Sequence, residues 1–218
     1  MKKILTILSA AALVAVGYSA HAQVILTGVY DGDASGGQPK GVEIYVGGTI
    51  DFTGWEISNF NNGNTTADNT AALDTLGTLT DTFAYITNDT VSGFNTWFGF
   101  NPDLADASSP NVNGDDAIAI FDDTATQIDV YGAIGTDGSG EVWEYQDGWA
   151  YRSDGTGPGG STFTPGDWTF ANGDFDGFSS NAGATNSMPV GTYVIPEPST
   201  AAFLLSGLAA MLLRRRRA

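Results

Sequence analysis

Lys40-Gly41-Val42-Glu43-Ile44-Tyr45-Val46 is the stretch that decides the fold. Val42, Ile44 and Val46 alternate with Glu43 and Tyr45, the period of two required of a strand that buries one face. Working outward, residues 24–30, 50–58, 82–87, 117–121, 128–131 and 149–152 are likewise rich in β-branched and aromatic residues and are separated by Gly, Asn and Asp clusters. Before the C-terminal tail no long stretch has a 3.6-residue apolar period, although residues 96–107 have room for a short helix. Seven or more short strands joined by such turns predict an all-β domain built as a sandwich.

The connections carry their own signals. Asn113-Gly114-Asp115 supplies a turn, with Gly114 free to take positive φ, before the apolar strand 117–121. Residues 59–81, rich in Asn, Thr and Asp, read as a long surface loop or an extended edge, and 132–140 and 153–166 as Gly-rich connections. The sequons at Asn64 and Asn88 mark polar turns.

Charge is distributed unevenly. Of the acidic residues only Glu197 lies outside residues 23–195, and of the basic residues only Lys40 and Arg152 lie inside, so this stretch carries 24 acids against 2 bases, a net of −22. Such a surface repels phosphate backbones, which argues against nucleic acid as a partner. Lys40 and Arg152 are each expected to pair with a carboxylate, Glu43 and Asp129 being plausible partners.

There is no cysteine, and the one histidine, His21, lies in the N-terminal segment. The domain must therefore hold together without disulfides. Thiol nucleophiles, histidine triads and histidine-ligated zinc drop out as chemistries. A catalyst built from this chain would have to rely on paired carboxylates, Glu141 with Glu144 or Glu43 with Glu56, since glycoside hydrolysis needs only two.

Two patterns point to binding. Asn172-Gly173-Asp174-Phe175-Asp176-Gly177 sets oxygen-bearing side chains at alternate positions around turn glycines, as calcium loops do, so Asn172, Asp174 and Asp176 are candidate ligands for Ca2+. The twelfth position is Gly183 instead of a bidentate Glu, and solvated Asx turns are the competing reading. Trp55, Trp97, Trp143, Trp149 and Trp168 are many for one domain. At least three are expected in the core, and Trp143, between Glu141 and Glu144, is the one to test as an exposed sugar-stacking ring.

The two ends read differently from the body. Lys2 and Lys3, an apolar run over residues 4–16 and then Ala20-His21-Ala22 follow the order of a secretory signal peptide, which places cleavage between Ala22 and Gln23. At the other end Pro196-Glu197-Pro198 precedes an apolar stretch, 200–213, and then Arg214-Arg215-Arg216-Arg217. Proline separates this tail from the domain, and the arginines orient a short transmembrane helix with its end cytoplasmic and the domain outside. The expected division is a signal peptide over 1–22, one domain over 23–192 and a tail over 193–218.

The tail resembles the PEP-CTERM sorting signals of Gram-negative bacteria. That resemblance implies recognition of Pro196, Glu197 and Pro198 by an exosortase, an integral-membrane cysteine protease, after export by the secretion machinery. The protein would sit transiently in the inner membrane, with Arg214, Arg215, Arg216 and Arg217 as the cytoplasmic stop, and then pass to the cell surface or extracellular matrix. The body is similar to bacterial lamin-tail domains through residues 40–45, 50–55, 113–120, 128–132 and 148–152. This second resemblance implies an immunoglobulin-like β-sandwich. The expected function is a non-enzymatic envelope or matrix protein that supports adhesion or binds an extracellular glycan or protein. The alternative is a carboxylate-dependent, carbohydrate-active hydrolase.

Overall fold

The computed structural model describes residues 22–195 as nine strands and one α-helix, with short 3₁₀ turns between them. The strands are β1 (Gln23–Ala34), β2 (Gln38–Asp51), β3 (Glu56–Phe60), β4 (Asn69–Ala72) and β5 (Thr78–Thr87), then β6 (Ala117–Phe121), β7 (Gln127–Tyr131), β8 (Gly148–Arg152) and β9 (Trp168–Ala171). The helix, α1 (Val91–Phe98), lies between β5 and β6. Two antiparallel sheets result, one in the order β5-β2-β1-β8-β9 and the other β4-β3-β6-β7. They form a β-sandwich.

The alternation in β2 is realised as the sequence requires. Val42, Ile44 and Val46 point between the sheets and join Val24, Leu26 and Val29 of β1 and Ile57, Ile118 and Ile120 of the facing sheet in the main core. Glu43 and Tyr45 take the opposite face. That outer face is also covered: Ile25, Tyr30, Tyr45, Tyr85, Trp149 and Tyr151 pack under α1 and under the C-terminal segment that ends the described chain. The five-stranded sheet is therefore buried on both sides.

Helix α1 begins where Thr90 caps it, the hydroxyl accepting from the Gly93 amide at 3.1 Å, and stops at Gly99, whose φ of 84° ends it in the left-handed region. It is anchored by Phe94 and Trp97. Burial of Phe94 alone contributes about 1.5–3 kcal/mol. The helix lies earlier than the 96–107 window that composition suggests.

Three other boundaries differ from the sequence reading. The run 50–58 is broken after Asp51 by a turn in which Trp55 N–H donates to Phe52 O, with Gly54 at φ 77°. Residues 59–81 hold both loop and an extended edge, strand β4, as read, but β5 also starts within them, at Thr78. Strand β9 arises from Trp168–Ala171, which sequence alone does not mark.

Among the described residues no helix is long and apolar enough to cross a membrane. The signal segment and the tail with Pro196, Glu197, Pro198 and Arg214 to Arg217 lie outside the described residues, as does the expected transmembrane helix. The fold itself runs past residue 192: Tyr193 is buried on the outer face, and Ile195 packs with the same cluster.

Candidate functional site

The most organised polar site lies on the outer face of the five-stranded sheet. Strand β1 has a bulge between Leu26 and Gly28, and this irregularity sets the geometry of everything around it. Past the bulge, Gly28 pairs with Glu43 on one side and Tyr151 on the other, while Tyr85 pairs with Glu43 from β5. With no side chain at Gly28, the Tyr151 hydroxyl reaches across β1 and donates to Glu43 Oε1 at 2.7 Å. The bulged Thr27 donates its hydroxyl to the same oxygen at 2.7 Å. The methyl of Met188 fills the rest of the gap, so that a Cβ added at Gly28 would lie 2.2 Å from it.

Glu43 is wholly buried. Burial pushes its carboxyl above the ordinary range, and bonds from Thr27, Tyr151 and the Gly191 amide pull it back. The second oxygen, Oε2, accepts from Gly191 N–H at 2.6 Å. Tyr151 in turn accepts from the amides of Thr192 and Tyr193, each at 3.1 Å. Asp154 accepts from Val194 N–H at 2.8 Å, and Gly155 N–H donates to Val194 O at 3.0 Å. Four consecutive amides of the C-terminal strap thus end on three side chains of the domain. Strand β2 thus supplies, in Glu43, the buried anchor of this strap.

A second polar centre surrounds Lys40. Its ammonium lies 3.2 Å from Asp31 Oδ1 without the alignment of a hydrogen bond, and donates to Val112 O at 2.5 Å. The partner is Asp31, not Glu43. Burial raises Asp31 to about 6 despite Lys40, and raises Asp116 to about 6 despite donors from the Asn62 and Asn113 amides. The Tyr145 hydroxyl is buried beside these carboxylates with no hydrogen-bond partner. The turn before Asp116 behaves as expected, Gly114 taking φ 86°.

A third centre joins the sheets. Arg152 donates to Asp129 Oδ2 at 2.7 Å and to Leu26 O at 2.6 Å, while Leu26 N–H donates to the same Asp129 oxygen at 2.9 Å. The bulge in β1 leaves both backbone groups of Leu26 to be satisfied by this pair. The guanidinium also stacks over Trp168, 4.4 Å from its ring centre. Arg152 therefore pairs with Asp129, one of the two carboxylates offered as partners for the bases, and does so in the interior.

The remaining candidates are scattered. Asn172, Asp174 and Asp176 sit in the turn after β9, which is pinned by the Gly173 amide on Gln146 O, the Phe175 amide on Asp147 O and the Gly177 amide on Asp33 Oδ2. Asp33 there serves as a cap for the turn. Among the described residues no group of three or more His, Cys, Asp or Glu is arranged to hold a metal ion. Glu43 and Glu56 fall on different sheets, and Glu144 caps the Gly140 amide of its own turn at 3.1 Å. Trp143 is 3 % exposed, packed on Tyr131 and Phe163, and the other four tryptophans are buried as well. None presents a face for stacking.

The chain matches no family model, no curated protein and no solved structure. The functional reading therefore rests on the residues and their geometry alone.

Proposed function

We propose that this is an exported cell-envelope protein whose domain acts without catalysis, in adhesion or in binding an extracellular glycan or protein. In this reading an exosortase recognises Pro196, Glu197 and Pro198, and the protein passes from the inner membrane to the cell surface or extracellular matrix. The domain is read as an immunoglobulin-like sandwich of the lamin-tail type.

The observation that carries the proposal is where the folded part meets the two sorting segments. Strand β1 begins at Gln23, the residue after the small-x-small pattern, and Gln23 is already paired with Gly47 of β2. At the other end the strap is held through Val194, two residues before Pro196. Removal of both segments would leave the core and its polar anchors whole.

The buried carboxylates and tryptophans fit a structural role within the domain. Three of the buried acids, Glu43, Asp129 and Asp116, accept hydrogen bonds from donors of the fold itself, which supports a structural role for them. The test is replacement of Pro196, Glu197 and Pro198 by alanine in the native cell. Export should continue while the protein accumulates in the membrane fraction; release at the normal rate would reject sorting through the triplet.

A further inference from the structure

The backbone amides of residues 191–194, just before Pro196, are all bonded to the domain. Proteins that bind an extended segment do so largely through its backbone, adding it as a strand and using pockets for alternate side chains. Here the amides of Gly191, Thr192, Tyr193 and Val194 already donate to Glu43, Tyr151 and Asp154, and the Val194 carbonyl accepts from Gly155. The side chains are engaged too. Tyr193 is buried, its hydroxyl donating to Thr156 O at 2.6 Å, and Ile195 lies against Gly47, where an added Cβ would sit 2.8 Å from its methyl. Pro196 follows with no intervening spacer.

We propose that Glu43, Tyr151 and Asp154 are positioning residues for tail processing: they hold residues 191–195 on the sheet, and the chain enters the protease cleft only when this strap peels off. The proposal rests on the sorting reading above. Domain and protease compete for one set of backbone groups, so the rate of processing follows the fraction of molecules whose strap is open. A precursor that has not folded has no strap in place, whereas a folded one is released at a pace set by the clamp. Each side-chain to backbone bond removed should raise the open fraction roughly 2- to 10-fold.

Asp154 offers the cleanest variant, because it is exposed and its carboxylate holds only the Val194 amide among the strap contacts. Tyr151→Phe removes the hydroxyl that accepts two amides and braces Glu43. The experiment is a pulse-chase of the full-length protein in its native cells, following conversion of the membrane-bound precursor to the released form. Alongside it, hydrogen exchange of the Gly191 to Val194 amides is measured on purified protein, which reads strap opening without any protease. Asp154→Ala should speed both exchange and release by roughly 2- to 10-fold, and Tyr151→Phe, which removes two strap bonds, by roughly 4- to 100-fold. Faster exchange with unchanged release would overturn the proposal, and so would unchanged exchange, since the clamp would then not hold the strap. A wild-type precursor that is never shortened would sink the sorting reading itself, a result distinct from shortening at one rate in all three proteins.

Discussion

Asp129 of β7 and Arg152 of β8 belong to different sheets and meet in the interior, with the Arg152 terminal nitrogen 2.7 Å from Asp129 Oδ2. Burial pushes the Asp129 carboxyl up, but Arg152 and the amides of Gly159, Leu26 and Val130 pull it back. Four donors around one carboxylate offset part of what its burial costs. The pair also closes the gap left by the β1 bulge, because both Leu26 backbone groups bond to it.

Asp129→Ala should accordingly be severe. It leaves a buried guanidinium without its counter-charge and Leu26 N–H without an acceptor, a loss of about 3–5 kcal/mol. Urea unfolding of residues 23–195 measures it. Replacing both partners together, Asp129→Leu with Arg152→Met, should cost distinctly less, since no isolated charge remains.

The acid response follows from Asp31 and Asp116. Each has a folded pKa of about 6 against an ordinary 3.8, raised mainly by burial. Asp31 faces Lys40 and Asp147, and Asp116 faces Asp115, Lys40 and the amides of Asn62 and Asn113; the Tyr145 hydroxyl lies beside both. Between these values the folded domain holds more protons than the unfolded chain, so their contribution is complete below about pH 4 and is lost as pH rises through about 6. Asp51 and Asp122, lowered by threonine bonds in exposed turns, act in the opposite sense. The melting temperature should be higher near pH 5 than near pH 7.5, and Asp116→Asn should flatten the slope. A melting temperature that falls from about pH 7.5 to 5 would show that these acids are not held protonated.

All five tryptophans are buried, so ring stacking on sugar is not expected to report binding. Intrinsic fluorescence of the folded domain should be weakly quenched by acrylamide and unchanged by soluble oligosaccharides, rising in accessibility only on unfolding. Strong quenching in the native state would place at least one indole at the surface.

How much of this was legible differs by region. Val42, Ile44 and Val46 could be read at once, because a two-residue period has one structural solution when one face is buried. Strand β4 could not: Asn69-Thr70-Ala71-Ala72 is polar and short, and it becomes a strand only through pairing with β3, a non-local gain. The break after Asp51 was hidden by the apolar Phe52 and Trp55, which both enter the core from a turn. Asp129 could be named among the partners of the two bases because the body has so few of them, yet neither its pairing with Arg152 nor the depth of the pair was readable, since both depend on how the two sheets meet. The Glu43 anchor was concealed most fully. A Glu alternating with valine and isoleucine reads as solvent-facing, and only the strap of residues 188–195, which has no period of its own, covers it.

In the proposed reading the chain is exported through one end and released through the other. Intact-mass measurement of the protein recovered from the native extracellular matrix tests it most directly. The expected species begins at Gln23, keeps the strap through Ile195 and lacks Arg214 to Arg217. A matrix species that retains Met1, or one that runs unbroken to Ala218, would contradict it.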